Sequence, residues 1–550
     1  MSEKEYRRTK LGIQGPVLAW QDPWAGDASD RLMRTGTGLI YPSQDASPDA
    51  STFIGAMKEL GTEFYVHHMM PGLDGQSDMI RDMAEHDMDV CLGNEYGNIN
   101  GPWVKGTNRY DVPDDVILEA ARSGKLIGLL YDEPEHLQIN AGQYRKDGWY
   151  PHWGETDGLT LAEAGDKVGA SISLRVKHVR ELLQKNGFEG MAAPLISEHV
   201  FPVMFHVKAR SGMIPCPKIM KESFQSLQLA TALGAAKQYG RSMWICADLW
   251  GPDIGQWFTR ISGFPGHSPE EFESALRMGY LMAPTHLFAE NIDALLHFNH
   301  SRFEKTVFGE VWSQFVNEFV PRHPLNWSHA DAEADIVLIH ADDSNFGQNA
   351  NLFGNREPGS EQSSSVFRAW HLLSHGTIPA HGSCMHIPGY RFPRTDLYRL
   401  VPPEQFPLVN GSTELSQTAV HPLFYPIHNV LVFDEHVEEE MLGTPRLIVA
   451  AGTRLSSVTL TAIRSQAERG ATVIVAEWLV PKRLRESCKL GQGRWIVVDD
   501  FLGEEAREGA SIHLGSADCW MQRFGNNEVR FYKDNEAGTR MRFEIHRNKS

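Results

Sequence analysis

Upstream of residue 300 a series of short apolar runs ends, each time, in acidic, imidazole or indole side chains. The terminal residues are Asp22 and Trp24; His67 and His68; Asn94, Glu95 and Tyr96; Asp132, Glu133, Glu135 and His136; Glu198 and His199; Asp248 and Trp250; Glu290 and Asn291. Carboxylates in this density, with indoles among them, suit cleavage of a glycosidic bond. One carboxylic acid protonates the leaving oxygen, and a second carboxylate attacks or stabilises the oxocarbenium-like centre. Indole faces stack on the C–H faces of sugar rings. Other chemistries lack their signatures: the chain has no GxSxG elbow, no GxxxxGK[ST] loop and no GxGxxG turn.

The sharpest segment is YDEPEH, residues 131–136. A proline directly after an acidic pair continues neither helix nor ladder, so the carboxylate projects at a fixed angle. The bland alternative is a polar turn leaving a strand. The segment resembles the motif of the large clan of retaining glycosidases on (β/α)8 barrels, whose acid/base glutamate sits in Asn-Glu-Pro at the end of strand four. Asp132 stands here in place of the Asn. The resemblance implies Glu133 as acid/base. It also implies a nucleophile ending strand seven, where the chain has Asp248, one methylene shorter than the clan's glutamate. Glu290, in FAENID at strand eight, is the competing second catalytic carboxylate. Asp22, Trp24, His67, Asp132, His136, Glu198, His199, Trp250 and Trp257 are candidate substrate ligands around them. The cluster WYPHWGETDG, 149–158, reads as a loop over the mouth.

GNEYG, 93–97, is similar to the Asn-Glu-Tyr-Gly motif of the β-galactosidase family numbered forty-two. Too few strands precede it for the acid/base of strand four, so Asn94 and Glu95 read as substrate ligands, with Glu95 the alternate acid. The segments ADIVLIHADDSNF and RLIVAAGTRLSS…IRSQAERGATVIVAEWL resemble the amidotransferase-like trimerisation domain that follows the barrel in that family. This implies a homo-oligomer, a trimer. It implies no glutaminase chemistry: the turn Ala451–Gly452–Thr453 has no cysteine, and Cys384 lies in HGSCMH.

Elements must bring these residues together. Continuous apolar runs separated by helical segments indicate parallel strands buried on both faces. The runs begin at Gly15, Glu63, Asp89, Leu126, Met191, Ser242 and Thr285, and the weaker PCPKIMKES from Pro215 completes eight; GTGLIYPS from Gly36 is an alternative strand. Helices are predicted over 50–60, 77–85, 114–122, 162–185, 221–239 and 269–282. The pattern is that of a (β/α)8 TIM barrel over 1–325, with active residues at the carboxyl ends of its strands. Prolines and polar residues mark a boundary near 320–333. A doubly wound α/β domain is predicted over 326–490. A small antiparallel β domain, including RWIVVDD and a turn at Gly525–Asn526–Asn527, is predicted over 491–550.

Composition bounds the function. The 550 residues carry a net charge of −18, which repels phosphate backbones and anionic membranes, so neither nucleic acid nor membrane is an expected partner. The expected partner is a carbohydrate substrate. No apolar run has membrane-spanning length and no export signal opens the chain, so a cytoplasmic location is expected. Six scattered cysteines form no CxxC. His67, His68, His136, His199 and His286 could join carboxylates in a metal site, yet no HExxH or other fixed spacing supports one, so no metal and no cofactor are expected. The reading is a two-carboxylate glycoside hydrolase. A metal-dependent sugar isomerase or lyase and a non-catalytic carbohydrate-binding protein are the alternatives.

Overall fold

The computed structural model describes residues 6, 8–16, 20, 22–24, 47–68, 76–93, 111–135, 159–220, 225–249, 268–299, 301–342, 361–378, 380, 422–536 and 538–547. Eight parallel strands close into a barrel in chain order: β1 (Lys10–Gln14), β2 (Phe64–His68), β3 (Asp89–Gly93), β4 (Leu126–Asp132), β5 (Leu195–His199), β6 (Ile214–Ile219), β7 (Trp244–Asp248) and β8 (His286–Glu290). β1 pairs with both β2 and β8 and closes the ring. YDEPEH therefore ends strand four, and PCPKIMKES is strand six. Strand one differs from expectation. It is KLGIQ rather than GPVLAWQDPW, and Pro16, with no N–H to give the ladder, follows its end. GTGLIYPS lies outside the described residues.

The barrel helices are α1 (Ala50–Glu59), α2 (Gln76–Glu85), α3 (Asp114–Arg122), α4 (Leu161–Lys185), α5 (Phe205–Ser211), α6 (Gln225–Gln238) and α7 (Pro269–Leu281). Three of these starts follow from side-chain caps. Asp49 accepts from Thr52 N–H at α1, Thr160 and Glu163 form a capping box at α4, and Ser268 followed by Pro269 starts α7. α5 was not predicted. It is short, and six of its seven residues are buried, so it has no polar face for a periodicity argument to find. α6 is buried along most of its length for the same reason: it lies between the barrel and the next sheet.

Beyond the barrel come the hairpin β9 (Leu296–Phe298) and β10 (Phe303–Lys305), the two-residue strand β11 (Ala332–Glu333), and a six-stranded sheet. That sheet contains β12 (Ile336–Ile339), β13 (Val430–Phe433), β14 (Leu447–Ala450), β15 (Thr472–Ala476), β16 (Cys488–Leu490) and β17 (Gly493–Val498), in the order β13-β12-β14-β15-β17-β16. All its pairings are parallel except that of the edge strand β16. RWIVV belongs to this sheet as β17, not to the terminal β unit. Trp495 to Val498 are buried in succession, the mark of a parallel strand covered on both faces and not of alternation. The terminal unit is a four-stranded antiparallel sheet of β11, β18 (Trp520–Phe524), β19 (Asn527–Lys533) and β20 (Met541–Arg547). Among the described residues no helix is long and apolar enough to cross a membrane.

Candidate active site

The barrel interior is built by side chains alternating along each strand. Leu130, Ile196, Ile214, Cys216, Trp244, Cys246 and Phe288 form a separate apolar cluster within it. One more step of two along each strand reaches Asp132, Glu198, Lys218, Asp248 and Glu290. Five consecutive strands, β4 to β8, thus place one charged residue each at the carboxyl end, where barrel loops meet.

Lys218 is the centre of this layer. Its Nζ lies 2.8 Å from Glu290 Oε2, 3.0 Å from Asp132 Oδ1, 3.4 Å from Glu133 Oε1, 3.7 Å from Asp248 Oδ2 and 3.9 Å from Glu198 Oε2. Burial alone would strip the proton from this amine. Asp132, Glu198, Glu290 and Asp248 outweigh burial and hold its pKa well above that of an ordinary lysine, so it stands as an ammonium. Burial pushes the Glu198 carboxyl well up, against the pull of Lys218 and with the push of Asp132 and Glu290. One cation among five carboxylates cannot keep all of them ionised in a buried site, and Glu198 is the group whose hold on a proton is raised. Cys246 Sγ lies 3.7 Å from Glu290 Oε2, and burial raises its thiol pKa strongly.

Glu133 differs from the other four. Its backbone has φ +43°, in the left-handed region that non-glycine residues seldom adopt, directly before Pro134. Its side chain is 15% exposed, whereas those of Asp248, Glu198 and Glu290 are at most 1% exposed. Residues held in such backbone conformations cluster at functional sites.

A second buried cluster lies behind the first. Glu135 Oε1 accepts from Val200 N–H (2.6 Å) and Phe201 N–H (2.9 Å), and its Oε2 lies 3.7 Å from His199 Nδ1. Burial raises its pKa to about 7, with Lys208 and the Phe201 N–H pulling the other way. Burial brings Lys208 down to about 7, although Glu135 and Asp342 oppose this. His199 is held well below its ordinary value by burial; it meets Ser197 Oγ through Nε2 at 2.5 Å and stacks on Phe205.

The structure brings together Asp132, Glu133, Glu198, Asp248 and Glu290 from the residues singled out in the sequence. It does not place all the others with them. His199 turns to the layer between β5 and α5. Trp24 donates from Nε1 to Asp82 Oδ2 and packs edge-on against Phe53, as a core residue does. Asp22 accepts from Trp24 N–H, and His67 meets Gln76 Oε1 at 3.0 Å. His286 opens β8 and stacks on Trp244, at the opposite end of the barrel from the carboxylates. Asn94, Glu95, His136, Trp250, Trp257, the segment 149–158 and Cys384 lie outside the described residues. Lys218 was missed. Its signal was available in the alternation Ile214, Cys216, Lys218 along the weakest of the predicted strands.

No family model matches the chain, and no curated protein matches it. Solved structures to which the chain is similar include three. They are the exo-β-1,4-mannosidase Op5Man5 from Opitutaceae bacterium strain TAV5 (11% identity, 88% of this chain and 82% of that one, TM-score 0.40), ScGas2 in complex with compound 6 (12%, 60% and 68%, 0.32), and the catalytic domain of a β-amylase from Paenibacillus polymyxa (10%, 57% and 99%, 0.30). Similarity of this degree assigns no activity. What the site can do rests on its own geometry.

Proposed function

We propose that the chain is a glycoside hydrolase, with Glu133 as acid/base and one of the buried carboxylates at the ends of β7 and β8 as its partner. The observation that carries this reading is the contrast between Glu133 and the rest of the layer. Glu133 is the strained and most accessible carboxylate of the layer, while Asp248 and Glu290 lie deeper, sealed from solvent. In this scheme protonated Glu133 gives its proton to the glycosidic oxygen as the C–O bond breaks. The partner carboxylate bonds to the anomeric carbon. Glu133, now ionised, takes a proton from the water that displaces it. Glu133 Oε1 and Glu290 Oε2 lie 3.4 and 2.8 Å from one nitrogen, so they are no farther apart than those two distances combined. That bound, on one oxygen of each group, admits the ~5–5.5 Å spacing of retaining pairs, and a retaining mechanism with Glu290 is the scheme adopted. Asp248, 3.7 Å from the same nitrogen, is held by a looser bound and keeps its candidacy through its place on strand seven. Substrate is a neutral glycan or glycoside, with Asp132 and Glu198 as hydrogen-bonding ligands to it. The second sheet is proposed to join subunits into a trimer, and light scattering giving a single-chain mass would reject that part.

The test is hydrolysis of a panel of aryl β-glycosides by the purified chain, with the anomer of the first product read by NMR. Turnover with net retention is expected; no turnover of any member would overturn the reading. A second reading is favoured by one observation: donor atoms of Glu198, Cys246 and Glu290 lie within 4.8 Å of one another and could hold a metal ion. The Lys218 ammonium already supplies positive charge to two of these three groups. Activity is therefore expected to survive exhaustive chelation. Its loss, with recovery on adding Mn²⁺, Mg²⁺ or Zn²⁺, would favour a metal-dependent isomerase or lyase.

A further inference from the structure

In open, mostly parallel sheets the carboxyl ends of the strands, at the point where strand order reverses, form the crevice that receives a ligand. In the second sheet that point lies beside β12, which is flanked by β13 and β14. The crevice edge is occupied by the barrel itself. Asp342, just past β12, accepts on Oδ2 from His206 N–H (2.8 Å) and Val207 N–H (3.0 Å), the first turn of α5. Its Oδ1 meets His206 Nδ1 at 3.2 Å, and His206 Nε2 meets the Val432 carbonyl at 3.0 Å. Both ring nitrogens face acceptors, and Asp342 raises the hold of His206 on its second proton against the effect of burial. Asp434, just past β13, receives Arg210 Nη1 (3.2 Å), Gln238 Nε2 (2.5 Å) and the Tyr239 hydroxyl. At Gly234 of α6 a Cβ would fall 1.7 Å from the Val432 oxygen, so helix and strand backbones touch.

The same α5 carries Phe205, whose ring stacks on His199 with centroids 4.0 Å apart, and His199 Nδ1 lies 3.7 Å from Glu135 Oε2; the buried Lys208 of α5 also acts electrostatically on Asp342 of the second domain and on Glu135 of the barrel. Glu135 in turn ties the turn after β4 to the turn after β5 through its two backbone hydrogen bonds, two residues beyond Glu133. We propose that Asp342 is a positioning residue for the acid/base. Through α5, Lys208 and Glu135, the second domain fixes the strained turn that carries Glu133. This rests on the reading of Glu133 as the acid. The edge at which such sheets commonly receive ligands serves, in this chain, as a brace for the barrel's active turn.

The experiment compares Asp342→Ala, Asp342→Asn and Lys208→Met with Glu133→Gln. Each is assayed on an aryl glycoside with a dinitrophenyl leaving group and on one with an unsubstituted phenyl group, and folding is checked by near-UV circular dichroism. A turn displaced by about 1 Å loses up to ~10²-fold in rate. Asp342→Ala and Lys208→Met are expected to lower kcat by at least tenfold on the phenyl substrate and by less than threefold on the dinitrophenyl one, with KM little changed. Asp342→Asn keeps one acceptor oxygen for the helix N–H groups and should fall between parent and Ala. If Glu133→Gln shows the leaving-group dependence and no folded variant at 342 or 208 does, the positioning role is overturned while the acid assignment stands. If Glu133→Gln shows none, the acid assignment fails and the proposal fails with it. Should Asp342→Ala not fold, Asp342→Asn and Lys208→Met carry the comparison.

Discussion

Lys218 and Glu290 form the closest ion pair in the barrel mouth among the described residues, Nζ to Oε2 at 2.8 Å, with both side chains sealed from solvent. The lysine is therefore structural and electrostatic at once. A nucleophilic lysine of the Schiff-base kind needs a lowered pKa and a free amine. This one is pushed the other way by its neighbours, so its role is to hold carboxylates and not to attack carbonyls.

Removing that ammonium has a defined consequence. Lys218→Met leaves buried carboxylates without their counter-charge, and breaking a buried ion pair in this way costs about 3–5 kcal/mol. The sign with pH follows from the raised pKa. The lysine's stabilisation is fully present below the ordinary value of ~10.4 and is lost only as pH rises through its higher folded value. In the variant the orphaned carboxylates must take up protons, so its stability should climb as pH falls from 8 to 5, whereas that part of the parent's stability stays level. Urea unfolding at the two pH values checks this; equal stability of parent and variant at pH 8 would refute it.

Glu133 has stability and activity in opposition. Its left-handed backbone costs energy that glycine would not incur. Glu133→Gly should raise unfolding stability by up to about 1 kcal/mol, at the low end of the cost of such strain. It should also remove the ~10²–10⁴-fold contribution of a positioned acid. Thermal denaturation together with kcat on a poor leaving group tests both halves. A destabilised variant would mean that contacts of the Glu133 side chain outweigh the strain.

Glu135 makes stability pH-dependent near neutrality. Its folded pKa is raised to about 7 from 4.5, so its contribution is complete below the unfolded value and is lost as pH rises through 7. Glu135→Gln keeps an oxygen for the Val200 and Phe201 N–H groups and cannot ionise. The Tm of the variant minus that of the parent should therefore increase from pH 5 to pH 8. A flat difference across that range would show that Glu135 is ionised throughout.

The contact of α6 with β13 predicts a sharp penalty for one methyl group. Gly234→Ala places a carbon against the Val432 carbonyl, and the two backbones must separate. Overpacking a tight site costs about 1–3 kcal/mol. The urea midpoint should drop accordingly; an unchanged midpoint would mean that the interface yields freely.

What the sequence made legible follows from how each side chain is buried. Strands covered on both faces read as apolar runs, so seven of the eight barrel strands lie on or across the expected segments, and Glu133, Asp248 and Glu290 fall at strand ends as anticipated. Strand one was misread because KLGIQ is short and opens on a charge, while the longer apolar run after it lies beyond a proline. Lys218 escaped notice because a lysine is ordinarily a surface residue. Its burial is a property of five other strand-end residues, none of them its sequence neighbours. α5 escaped for the converse reason: it is packed by the neighbouring layers, and such a segment carries no polar face from which to read a period, while β17 is a strand as expected but belongs to the parallel sheet and not to the terminal unit.

The second carboxylate is decided by chemical rescue. Nucleophilic attack needs an ionised oxygen about 3–3.5 Å from the anomeric carbon. Truncating the right residue removes that oxygen and leaves room for a small anion. Glu290→Gly and Asp248→Gly are each to be assayed with a dinitrophenyl glycoside, without and with azide. Lys218 lies against both sites, 2.8 Å from Glu290 and 3.7 Å from Asp248, and its ammonium should favour an incoming anion at either. Rescue at residue 290, with a glycosyl azide of inverted configuration as product, is expected from the tighter distance bound to Glu133. Rescue at residue 248 instead would assign the nucleophile to strand seven, leaving Glu290 as the anchor of Lys218. Rescue at neither, with inversion by the parent enzyme, would mean that no covalent intermediate forms. The buried carboxylate would then act as base toward water, and the retaining mechanism would be withdrawn.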